Sequence, residues 1–113
     1  MAELDTSARA PSRPPQGCAL DERGFGSQLR RYRRLSEHVT TLQRTTGQVI
    51  AHFGPDLPPG LLERTLEVER RCCPFVDTSY KHATRRLTLA VESVDQDPRL
   101  DSLFHALTPA HRG

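Results

Sequence analysis

The sequence has no tryptophan, a single methionine and, with four phenylalanines and two tyrosines, only 5% aromatic residues. Leucine, valine and isoleucine must therefore supply most of the burial. No stretch reaches the roughly 18 to 20 apolar residues that a membrane span requires, so no membrane association is expected. The opening run MAELDTSARAPSRPPQG lacks the apolar centre of a secretory signal, and a cytoplasmic location is the expectation. Lysine is nearly absent. Lys81 stands against fifteen arginines, a skew that codon bias in a GC-rich bacterial genome explains as well as selection for bidentate anion binding does. The phosphate-binding glycine loop, G-x-S-x-G and H-E-x-x-H are missing, and the five histidines show no i, i+4 pairing. The net charge of +2 decides little. Nucleic-acid binding is not expected, because the Arg30–Arg34 cluster reads as a solvated helix face around a core Tyr32.

What is present fits one domain of 113 residues. Residues 1–17, rich in Pro, Ala, Ser and Arg without apolar periodicity, read as a disordered leader. Residues 18–108 form the predicted domain, and 109–113 a flexible tail. Asp21 caps a helix over about 22–36, with Phe25, Leu29 and Tyr32 on its apolar stripe. Two β-prone runs, His38–Gln43 and Gln48–Phe53, flank a short Gly-containing loop and predict a hairpin. A second helix runs from about Leu61 to Cys72, stopped by Pro74. Alternation over Phe75–Tyr80 and Arg86–Ser93 predicts a second hairpin, with Leu87, Leu89 and Val91 inward. Asp97-Pro98 opens a last helix carrying Leu100, Leu103, Phe104 and Leu107. The order α-ββ-α-ββ-α implies an α+β fold: a two-layer arrangement with a four-stranded, mostly antiparallel sheet covered on one face by about three helices.

The second helix holds the chemistry. At 100° per residue Glu69 falls about 20° from Leu62, in the middle of the apolar face that also carries Leu66 and Cys73. Glu63, Arg64, Glu67, Arg70 and Arg71 take the opposite arc. A carboxylate on that face must be paired, hydrogen-bonded or protonated. It is either a structural acid bonded to Tyr32, an Arg or a backbone amide, or a metal ligand or general acid/base beside the thiols at i+3 and i+4. Three cysteines cannot complete an intramolecular disulfide framework, and reduced thiols are the simplest reading. A Cys72–Cys73 bridge is disfavoured, since adjacent Cα atoms about 3.8 Å apart fall below the bridging range.

Cys18-Ala19-Leu20 before the Arg/Tyr/Leu helix, with Glu69-Arg70-Arg71-Cys72-Cys73-Pro74-Phe75 between two hairpins, resembles a group of small bacterial proteins. That group carries the pattern C-x-L … E-x-x-C-C-x-F, in segments that occur beside or fused to mercury-responsive-type regulators. The resemblance implies that Cys18 belongs with Cys72 and Cys73; it supplies no reaction. Three converging thiols suit soft guests such as mercury, arsenic(III), copper(I), or zinc with Glu69 as fourth ligand. The leading expectation is thus a thiol-dependent protein binding a soft metal or metalloid through Cys18, Glu69, Cys72 and Cys73, as carrier, sequestering protein or sensor. Two alternatives stand beside it. One is a small biosynthetic enzyme on a small molecule, with Cys72 or Cys73 as nucleophile and Glu69 as acid/base. The other is an interaction module with structural cysteines. A homodimer is compatible with each.

Overall fold

The computed structural model describes residues 21–109. The expected leader (1–17), Cys18 and most of the expected tail lie outside them. The element order is α1 (Glu22–Ser36), β1 (Val39–Thr45), β2 (Gln48–Phe53), α2 (Pro59–Cys72), β3 (Asp77–Lys81), β4 (Arg86–Ala90), a short 3-10 turn (Val94–Gln96) and α3 (Asp97–Leu107). The α+β expectation holds: the four strands form one antiparallel sheet in the order β1-β2-β4-β3.

Local chemistry sets most boundaries. Asp21 caps α1, its carboxylate accepting from the Gly24 amide at 2.7 Å. Helix α2 starts at Pro59, two residues before the expected Leu61, because a proline at N1 has its φ preset and needs no amide partner. Gly47 occupies the β1–β2 turn with φ 77°, and a Cβ there would also meet the Val91 carbonyl at 3.3 Å.

Two strands are shorter than the alternation predicted. The Val76 amide donates to the Cys73 carbonyl at 3.0 Å, so residues 73–76 turn and β3 opens only at Asp77. The Val91 amide donates to the Gly47 carbonyl at the end of the neighbouring hairpin, and β4 stops at Ala90. A local turn decided the first end and a tertiary hydrogen bond the second.

The three helices of the described residues lie on one face of the sheet. Val49, Ala51, Phe53, Leu87 and Leu89 point toward them and pack with Tyr32, Leu35, Leu62, Leu66, Leu100, Leu103 and Leu107. Helix α1 touches both α2 and α3, α2 reaches β3, and α3 lies over β1 and β2. Leu66 (4% exposed) and Leu89 (0%) are both interior, as the two-layer reading requires. No helix among the described residues is long and apolar enough to cross a membrane.

Candidate functional site

Helix α2 turns its apolar stripe inward, and that rotation carries Glu69 into the core at 0% exposure. Its carboxylate is held by three side chains from the other two helices. Arg99 donates twice, Nε to Oε2 at 3.1 Å and Nη2 to Oε1 at 2.8 Å. The Tyr32 hydroxyl donates to Oε1 at 3.1 Å, and Gln28 Nε2 donates to the same oxygen at 3.0 Å. Gln28 Nε2 also reaches the Thr65 carbonyl at 2.9 Å, while Arg31 Nη1 donates to Gln28 Oε1. The Arg99 guanidinium sits over the Phe25 ring, 5.1 Å from its centroid, a cation–π contact.

This is the structural alternative anticipated for Glu69, with Tyr32 and an arginine as partners. Charge-assisted bonds in a fork geometry are the strong kind, and α1, α2 and α3 meet on them. The expectation of Glu69 as a fourth metal ligand or acid/base therefore meets a carboxylate already accepting four hydrogen bonds.

Arg99 and Gln28 were missed in the sequence, although both carry a legible signal. Arg99 precedes Leu103 by four positions and Leu107 by eight, so it lies on the apolar stripe of α3 as Glu69 lies on that of α2. Two opposite charges on two core-facing stripes predict each other. Gln28 likewise sits between Phe25 and Tyr32.

Burial raises the Tyr32 phenol well above its ordinary pKa, and the adjacent Glu69 charge pushes it further in the same direction. Raised in the fold, this pKa leaves stability intact below pH about 10, where a free tyrosine titrates, and erodes it above that value as the unfolded phenol ionises. In an alkaline absorbance titration the Tyr32 phenolate should appear only together with unfolding. A Tyr32→Phe variant should remove that late component; a component that persists in the variant would refute the assignment.

The cysteines divide. Cys72, the last residue of α2, is a free, partly exposed thiol. Cys73 is fully buried, caps the helix with its amide on the Glu69 carbonyl at 2.8 Å, and is disulfide-bonded. The expectation of reduced thiols throughout is corrected at Cys73. Cys18 lies outside the described residues. Among the described residues no group of three or more His, Cys, Asp or Glu side chains is gathered to hold a metal ion. Past the cysteine pair a groove of about 560 Å³ opens between the 74–76 turn and the sheet, lined by Arg70, Phe75, Asp77, Thr78, Val91 and Glu92 among others. Arg70 Nε donates to Thr78 Oγ1 at 2.6 Å across it.

No family model matches the chain, and no curated protein or solved structure does either.

Proposed function

We propose that this is a thiol-dependent protein that takes up a soft metal or metalloid through sulfur, with Cys18, Cys72 and Cys73 as the ligands. The observation that carries the reading is a disulfide-bonded Cys73 directly beside the free thiol of Cys72. Sulfurs near enough to form a disulfide stay near one another when reduced, within reach of a metal that bonds each at about 2.3 Å. Cys18 is the chain's third cysteine, and its pairing with Cys73 belongs to the proposal. Glu69 serves in it as the charge that fixes the end of α2 rather than as a ligand. The partial exposure of Cys72 favours a second reading, in which Cys72 is the nucleophile of a small enzyme.

The test is titration of the fully reduced protein with arsenite and with Hg(II), followed by thiolate-to-metal absorption and mass. One ion per chain is expected. Each single Cys→Ser change should weaken binding by more than about 100-fold, since even second-shell losses cost about 10–100-fold. Peptide mapping without reductant should give a Cys18–Cys73 pair. Uptake that survives Cys73→Ser, or depends on Cys72 alone, would reject the thiol-set reading, and the second pattern would favour the enzyme.

A further inference from the structure

The face of the sheet turned away from the helices is open, and its side chains fall in rows fixed by the register. One row reads Thr41–His52–Arg86–Lys81 across all four strands. The next reads Gln43–Ile50–Thr88–Ser79, and the third Thr45–Gln48–Ala90–Asp77. Positive charge is thus confined to the first row; the one acid in the three rows, Asp77, stands in the third, four residues along β3 and about 13 Å away.

Lys81 and Arg86 are direct cross-strand partners. Like charges in that position destabilise a sheet unless something offsets them. The ion pairs among the described residues join Arg44 to Asp97 and Asp101, Arg64 to Glu67 and Arg99 to Glu69; none reaches Lys81, Arg85 or Arg86. Arg86 Nε is enclosed and has no hydrogen-bond partner. A donor shielded from water and left unmet costs free energy, so Arg86 is held without an internal acceptor while the rest of its side chain stays partly exposed. The surroundings are also held in place. The His52 ring is oriented by a 3.0 Å contact between Nδ1 and Thr41 Oγ1, and the β3–β4 turn is pinned by Arg85 Nε on the Phe53 carbonyl at 3.1 Å.

We infer that the row Thr41–His52–Arg86–Lys81 is a binding site for the diphosphate group of a small molecule. His52, Arg86 and Lys81 stand on three adjacent strands and so span about 10 Å, wider than one phosphate group and matched to two. Arg86 at the centre takes the bridging region, with Lys81 and His52 on the outer oxygens and the Thr41 hydroxyl at the edge. A nucleic-acid backbone fits less well, because the cationic row does not continue along the face and no Phe, Tyr or Trp stands in the three rows for stacking.

The test is a calorimetric titration of the full chain with inorganic pyrophosphate at constant ionic strength, with inorganic phosphate and a single-stranded oligonucleotide as the other arms. Pyrophosphate should bind more tightly than phosphate, and Arg86→Gln or Lys81→Gln should each weaken it about tenfold, the effect of one charged hydrogen bond. Arg33→Gln, which removes an exposed charge on α1, should leave binding unchanged. Without ligand, Arg86→Gln and Lys81→Gln should melt no lower than wild type, because each removes a repulsion. Equal binding of phosphate and pyrophosphate, equal loss in Arg33→Gln, no binding at millimolar pyrophosphate, or preference for the oligonucleotide would each overturn the site. A lower melting temperature in the unliganded variants would instead make the row a structural feature.

Discussion

Glu69→Gln should destabilise the fold by about 3–5 kcal/mol, the usual consequence of leaving one partner of a buried ion pair alone. The substitution preserves size and removes only the charge, yet Arg99 would then be fully buried with no counter-charge, and its Nη1 already lacks a partner. For a domain of this size each kcal/mol moves the melting temperature by about 4–8 °C, so a fall of about 12 °C or more is expected. Stabilities near 5 kcal/mol are ordinary, and the variant would then be close to unfolded at physiological temperature. Replacing both charges should do less harm than removing one. In Glu69→Met/Arg99→Met the pair is gone, the Tyr32 hydroxyl has lost its acceptor, and Gln28 keeps the Thr65 carbonyl. The double variant should therefore melt above either single one. Glu67→Gln, on the exposed side of α2, should change stability by no more than about 0.5 kcal/mol. Melting curves of these five variants, the two single Met changes included, decide the matter. An effect below about 1 kcal/mol in Glu69→Gln would show that the network does not hold the helices, and would return Glu69 to consideration as a ligand.

Leu89→Ala should cost about 2–5 kcal/mol, while Ile50→Ala on the adjacent strand should cost well under half as much. The two side chains lie close in space but on opposite faces. Leu89 is fully buried in β4, and its cross-strand partners are Val49 and Thr78. Ile50 pairs with Gln43 and Thr88 on the open face and is only partly buried. Deleting the Leu89 side chain removes its transfer free energy and leaves a cavity between the sheet and three helices that cannot collapse independently. Deleting Ile50 mostly exposes backbone that water already reaches. Denaturant midpoints with unchanged slopes would measure both losses. Equal costs would mean that the open face is covered in solution, against the accessible site proposed on it.

The sheet faces were legible because a strand's side chains alternate with period two, so Leu87, Leu89 and Ala51, Phe53 declare their side without any knowledge of the partner strand. The stripe of α2 was legible for the equivalent helical reason, and it placed Glu69 inside before any contact was known. Asp21 announced the start of α1, and Pro74 the end of α2. Strand ends were not legible. Val91 and Phe75 continue the alternation of β4 and β3, but the Val91 amide bonds Gly47, a contact local preference does not encode, and the Val76 amide closes a local turn on Cys73 that the alternation masks.

The candidate site shows the same division. From its own sequence the chain determined one α+β layer pair, the order of its elements, an acid on a core-facing stripe and two adjacent cysteines at that helix's end. Tertiary structure alone decided what those groups do. Periodicity is a property of one element, whereas a hydrogen bond needs two, and the residues that meet Glu69 come from 41, 37 and 30 positions away along the chain. Only the packing of α1 and α3 against α2 turned a buried acid into the joint between them, and only the β1-β2-β4-β3 order set Lys81, Arg86 and His52 in one row on the face the helices leave open.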